Sequence, residues 1–168
     1  MNRFTFLLTA VVAATILFAC KKDADKVRLD IRMTDGPGDY QQVNIDLKEI
    51  RVKTANDTSE WITLNTNAGV YNLLDFQNGI DTLIATGTVP AEILKEVRFV
   101  LGPNSTVMQD SIIYQLVTPS AESSGLKIKI DKDLGLDINS FTLDFDAAQS
   151  VKQIGNGTFK LDPVIRLK

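Results

Sequence analysis

From Val27 onward apolar and polar residues alternate. Val27, Leu29, Ile31 and Met33 take turns with Arg28, Asp30, Arg32 and Thr34, the period of two that buries one face of a β-strand. Asp35-Gly36-Pro37-Gly38-Asp39 interrupts the pattern with turn chemistry. Val43, Ile45 and Leu47 then share a face, and the apolar set slips by one to Ile50 and Val52. One inserted residue near Lys48-Glu49, a β-bulge, restores the inward face. Trp61-Ile62-Thr63-Leu64 reads as the return strand of a hairpin after the polar loop 54–59.

Residues 70–76 form a further apolar segment, and Asn78-Gly79 a turn. Residues 80–86 fit either a strand or one helical turn, and 90–96 a brief helix, while Val97, Phe99 and Leu101 alternate as a strand. Two short strands joined at Gln109-Asp110-Ser111 account for 107–117. The clearest alternations are Leu126/Ile128/Ile130, Leu134/Leu136/Ile138 and Phe141/Leu143/Phe145, each predicting a strand. Asp146 has the position of an N-cap with Gln149 reaching back. Gly155-Asn156-Gly157 reads as a hairpin turn, and Pro163 marks an edge or a break before the last strand. Many short strands with turns between them, no long amphipathic helix and no repeat predict an all-β fold, an antiparallel β-sandwich with one or two short helical turns.

The first 26 residues follow another rule. Met1-Asn2-Arg3 is positively charged and residues 4–19 are apolar except for three threonines, the layout of a secretory leader. The run is shorter than the roughly 20 residues a spanning helix needs and is followed at once by Lys21, Lys22 and Asp23. Leu17, Ala19 and Cys20 resemble the bacterial lipobox, which implies cleavage between Ala19 and Cys20 and lipidation, palmitate included, of the only cysteine in the chain. The expected organisation is a lipoprotein signal peptide over 1–19, an acylated cysteine and tether over 20–26, and one sandwich domain over 27–168. Lys-Asp-rich tethers also resemble the surface-export signals of Bacteroidota lipoproteins. About 150 residues remain after such a cut, enough to bury most of an unfolded chain's surface without a disulfide.

Composition removes many chemistries. The chain has no histidine, which excludes histidine-assisted nucleophiles and the common zinc sites. Arg3 would leave with the leader, so 17 of the 18 basic side chains stand against 21 acidic ones, a net charge of −4. That balance is wrong for nucleic acid. Carboxylates remain. Asp144 and Asp146 lie two apart, on one face of a strand, as an acid pair for glycoside hydrolysis would, although a solvated face for Asp144 and a helix cap for Asp146 explain them better. Asp131, Asp133 and Asp137 fail the register of a calcium loop. Asp35 and Asp39, flanking a glycine-rich turn, are a looser oxygen cluster for a cation such as calcium, although aspartate is also ordinary turn chemistry. Trp61, Tyr40 and Tyr71 offer flat faces for stacking on sugars, or simply pack in hairpins. No cofactor is implied.

The blocks TDGPGDYQQVNIDLKEIRV, WITL, YNLLDFQNG, VPAEILKEVRFVLG, SGLKI, FTLDFDAAQSV and GNGTFKLDPVIRL resemble, in order and spacing, the bacterial lipoprotein domain of unknown function 4382. The likeness covers nearly all of the chain after the tether and departs from the family pattern at Glu92, Ile93 and Leu94. It implies an exported, often lipid-anchored protein with an immunoglobulin-like or transthyretin-like sandwich, and it supplies no catalytic residues. The expectation is a non-enzymatic domain held by its lipid at the outer membrane or cell surface. Its expected role is a binding or structural accessory for a glycan or an envelope protein, with Trp61 and Tyr40 as ligand contacts. A carboxylate-based hydrolase and a calcium-stabilised adhesion module are the alternatives.

Overall fold

The opening alternation becomes β1 (Lys26–Thr34), whose Leu29, Ile31 and Met33 are fully buried. A computed structural model describes residues 25–55, 60–118 and 124–168. Ala19, Cys20, the rest of the expected leader and most of the 54–59 loop lie outside the described residues. The chain continues through β2 (Gln42–Thr54), β3 (Ile62–Thr63), β4 (Asn65–Thr66) and β5 (Gly69–Asn72) to a 3-10 turn at Leu73–Phe76. Then come β6 (Thr82–Pro90), β7 (Ile93–Leu101), β8 (Thr106–Gln109), β9 (Ile112–Val117), β10 (Leu126–Asp133) and β11 (Asn139–Phe145). A single helical turn α1 (Ala147–Ser150) precedes β12 (Val151–Gly155), β13 (Thr158–Leu161) and β14 (Ile165–Leu167).

The strands make two sheets. One has the order β14-β11-β1-β6-β4, and the other β10-β7-β2-β8-β9-β13-β12 with β3 and β5 on the second edge of β2. Their inward faces form one apolar cluster, in which Phe99 of β7 meets Phe145 of β11 edge to face across the sheets, centroids 6.2 Å apart. This is the predicted all-β sandwich. It is not wholly antiparallel: β1 runs parallel to β11 and β13 parallel to β9. Both parallel pairs join strands far apart in the chain, so no crossover helix is required.

The thirteen-residue β2 organises the larger sheet. Its register against β7 slips between Leu47 and Glu49, the predicted bulge, which leaves Lys48 exposed and returns Ile50 and Val52 to the core. On the same edge β7 ends opposite Leu47 and β8 begins opposite Asn44. Between them residues 102–105 swing out and back around Asp46, whose side chain is nearly inaccessible. Its Oδ2 accepts from the backbone N–H and Nδ2 of Asn104 at 3.2 and 3.0 Å, and Oδ1 pairs with Lys48 Nζ at 2.9 Å. The Asp46 backbone closes the clamp, accepting from Gly102 N at 2.7 Å and donating to Ser105 Oγ at 3.1 Å. Gly102 passes so close that a Cβ there would collide with the Asp46 carboxylate and the Lys48 stem.

Other turns follow the predicted chemistry. Asn78 and Gly79 both hold positive φ, 58° and 86°. Asp146 Oδ1 accepts from Gln149 N at 2.9 Å and caps α1, while Gln149 Nε2 donates back to Oδ2. Of residues 80–86, the span from Thr82 resolves as the start of β6 and no helical turn forms.

Two expectations are corrected. No helix forms over 90–96: β6 runs to Pro90, a two-residue bend at Ala91-Glu92 changes sheets, and β7 starts at Ile93, because Leu94 and Val97 have core walls to pack on. Nor is 134–138 a strand. Asn139 locks it as a turn, accepting from Gly135 N at 3.0 Å and donating to the carbonyls of Gly135 and Asp137. Only Leu134 is buried there; Leu136 and Ile138 are 76% and 67% exposed.

Gly102→Ala is expected to lower the unfolding free energy by about 1–3 kcal/mol, the usual cost of overpacking a closed site, as read by urea denaturation. Gly36→Ala, where nothing lies within 4 Å of the added carbon, is the control and should change it by less than about 0.5 kcal/mol.

Candidate functional site

β1 runs toward one end of the sandwich and β2 returns from it, so residues 35–41 form part of that end. The hairpin turn between β8 and β9 lies against them: Gln41 N donates to Met108 O at 3.1 Å, and Ser111 N donates to Gln41 Oε1 at 2.6 Å. Tyr40 packs its ring against the core edge and directs its hydroxyl to Val151 O, 3.4 Å away. Burial, and then the charge of Asp39, raise the Tyr40 phenol above its ordinary value, so it stays a neutral donor at physiological pH.

These segments enclose an open cleft of about 590 Å³. Its lining includes the carboxylates Asp39 and Asp110, the amides Gln41, Gln109 and Gln153, and Tyr40. No cation lines it. Amides and carboxylates beside a ring suit a neutral, hydroxyl-rich ligand: they give and accept hydrogen bonds in plane, and the ring takes an apolar face. A second cleft of similar size, between β10 and the 162–165 segment, is lined by Lys127, Lys129 and Asp162 and has no aromatic residue.

The β8–β9 turn carries strain at the cleft. Asp110 and Ser111 both sit in the left-handed region, φ 49° and 61°, without the glycine that Asn78-Gly79 uses. Such residues cost on the order of 1 kcal/mol each and cluster at functional sites. Gln109 and Asp110 are marked in the sequence only as turn residues, and Gln41 and Gln153 have no signal of their own. They meet because β2 begins, β8 ends and β12 passes at the same place.

Of the residues singled out by sequence, Tyr40 and Asp39 line this cleft and Trp61 does not. The Trp61 ring lies beneath the Arg98 guanidinium, 3.9 Å from its centroid, a cation–π contact on the larger sheet. Tyr71 donates to Asn67 O at 2.6 Å and its ring packs on Phe76. Asp35 is 5% exposed and turns inward, accepting from Ala147 N at 2.8 Å and from Gln77 Nε2 at 3.5 Å. Among the described residues no group of three or more carboxylate, cysteine or histidine side chains converges on a metal-sized site.

The acid pair is rearranged. Asp146 is engaged as the cap of α1, and the carboxylate that senses Asp144 is Asp35, because the parallel register sets Thr34 beside Asp144. Asp144 Oδ1 is buried without a hydrogen-bond partner. Burial pushes the Asp35 carboxyl from 3.8 to about 6, opposed by the hydrogen bonds from Ala147 and Gln77 and assisted by the Asp144 charge. A carboxyl of that kind is a proton donor near pH 6, but it is buried and does not line the cleft beside Tyr40.

A family model described as "Domain of unknown function (DUF4382)" matches residues 26–163. No curated protein and no solved structure matches the chain.

The folded chain holds a proton on Asp35 up to about pH 6, whereas an unfolded chain releases it near 3.8. Stability from this group is therefore complete below about pH 4 and is lost as pH rises through 6. Asp35→Asn, which keeps the acceptor for Ala147 N, should match the parent near pH 4 and exceed it at pH 8 by about 2–3 kcal/mol. Thermal melts of both proteins from pH 4 to 8 measure this; parallel pH profiles would contradict it.

Proposed function

The chain belongs to the DUF4382 family, and we propose that it is a lipid-anchored envelope module that binds a glycan in the cleft beside Tyr40. The observation that carries this reading is the placement of that cleft. Asp25, where the tether joins the fold, sits at the β6–β7 bend, its carbonyl accepting from Ala91 N at 2.6 Å. The Tyr40 cleft is at the opposite end, where β1 finishes and β2 begins. A lipid on Cys20 would hold the first end at the bilayer and turn the second away from it. Two or more acyl chains make such attachment stable.

The neutral-ligand chemistry of the cleft favours a carbohydrate over an anionic or nucleic-acid partner. Its carboxylates and amides match sugar hydroxyls, and its lack of cations would leave a phosphate or sulfate without a counter-charge. The strained Asp110-Ser111 turn adds fixed backbone geometry at the rim.

Glycan-array binding by the full chain tests the ligand class. Tyr40→Ala and Gln153→Ala should each weaken binding about tenfold, equivalent to about 1.4 kcal/mol. Gln153 is exposed, so its variant should melt with the parent. Binding that survives both substitutions would exclude the cleft. For the anchor, Cys20→Ser should end palmitate labelling and move the protein from the envelope to the soluble fraction; continued labelling would contradict lipidation at Cys20.

A further inference from the structure

Leu136 and Ile138 are the two most exposed large apolar side chains among the described residues, 76% and 67% accessible. They occur together in the five-residue connection between β10 and β11, which joins the two sheets. A short backbone path ties this connection to the start of the described chain. Asp25 O accepts from Ala91 N at 2.6 Å, and the next residue, Glu92, accepts through its carbonyl from Leu134 N at 3.0 Å. On the other side Asn139 stands opposite Leu29 in the β1–β11 ladder. The exposed pair therefore lies at the end of the sandwich where the tether enters.

The connection is also fixed in shape. Asn139 holds three backbone groups of residues 135 and 137 through its side-chain amide, so Leu136 and Ile138 are presented outward at no further ordering cost. A flexible loop would fold such side chains back onto the core edge. Exposed apolar residues at one point of a surface mark a place of contact.

We propose that residues 134–138 are a second membrane contact, with Leu136 and Ile138 seated in the bilayer interface beside the lipid on Cys20. This inference rests on the lipidation reading above. From Cys20 to Asp25 is six residues, which span at most ~20 Å at ~3.3–3.6 Å each, so the loop is never far from the headgroups. A lipid fixed at one point leaves the domain free to tumble. A second contact at the same end sets its tilt, keeping the Tyr40 cleft directed away from the membrane.

The surrounding charge identifies the kind of surface. Asp25, Glu92, Glu96, Asp131, Asp133 and Asp137 stand against Lys26, Lys53, Lys95, Lys129 and Lys132 in this region, and Lys95 is already paired with Asp131 at 2.9 Å. So nearly balanced a surface offers anionic lipid no basic patch. The contact is with a zwitterionic interface such as phosphatidylethanolamine or phosphatidylcholine, and it should be insensitive to salt.

The test uses the full lipidated chain reconstituted in phosphatidylcholine/phosphatidylethanolamine vesicles, with one environment-sensitive fluorophore on Leu136→Cys or, as control, on Ile112→Cys. Ile112 is 53% exposed at the opposite end, and Cys20 is blocked by acylation. Lipids spin-labelled near the headgroup should quench the dye at 136 at least threefold more than at 112, equally at 50 and 500 mM salt. Ile138→Ser in the same chain should reduce that quenching at least twofold. Equal quenching at 136 and 112 in protein that stays palmitate-labelled and vesicle-bound overturns the loop contact and leaves the anchor intact. Loss of labelling and vesicle binding points instead to failure of the lipidation reading. Emission at 136 that depends on protein density and not on lipid quencher means the loop meets a second copy, which also overturns the proposal.

Discussion

The larger sheet depends on one buried carboxylate. Asp46 faces away from the apolar core, yet it is inaccessible because residues 102–105 are wrapped around it. A buried charge is tolerable only with its oxygens satisfied, and here Asn104 and Lys48 do that while Gly102 and Ser105 bind the adjacent backbone. The clamp lets the chain leave β2 after β7 and rejoin it as β8 with the register Asn44 to Thr106. That register decides where the β8–β9 turn ends. Without it Gln109, Asp110 and Ser111 would not stand against Gln41 and Tyr40.

From this constraint the sandwich acquires two unlike ends. One carries Asp25, where the described chain begins, the Ala91-Glu92 bend and the rigid 134–138 turn with its exposed Leu136 and Ile138. The other carries Tyr40, a ring of amides and carboxylates, and a strained turn. The apolar core between them, with Phe99 against Phe145 at its centre, is long enough to keep the ends apart and needs no disulfide. The proposed lipid would hold the first end at the membrane and give the second an outward direction, so the proposed anchor and the proposed glycan site explain each other's position.

How far these features were legible in the sequence follows from the range of the interactions that make them. Strict alternation foretold β1, β10 and β11, and the one-residue slip after Leu47 foretold the bulge at Lys48, since both reflect side chains choosing faces within a few residues. Caps and turns at Asp146, Asn78 and Gly155-Asn156-Gly157 are equally local. The misreadings have a common cause. Leu136 and Ile138 continue the alternation of Leu134, but no wall of the core lies opposite them, and Asn139 makes the turn more favourable than an unpaired strand. Residues 90–96 have helix-compatible spacing, yet Leu94 and Val97 find a strand's partners in β2 and β10. The cleft lay furthest from view: Tyr40 stood out as an aromatic residue, but its neighbours arrive from β8 and β12 through pairings that include a parallel step between β9 and β13. Asp144 likewise met Asp35 through a parallel register that no local pattern encodes.

The dependence of the cleft on Asp46 is open to direct measurement by residue-resolved amide hydrogen exchange on the full chain and on Asp46→Asn. The account predicts that the substitution accelerates exchange at Gly102, Asn104 and the Ser111 amide that donates to Gln41, while the amides of β1, β6 and β11 keep the parent's protection. Uniform acceleration across both sheets, or an unchanged Ser111 amide alongside a loosened 102–105 segment, would contradict it.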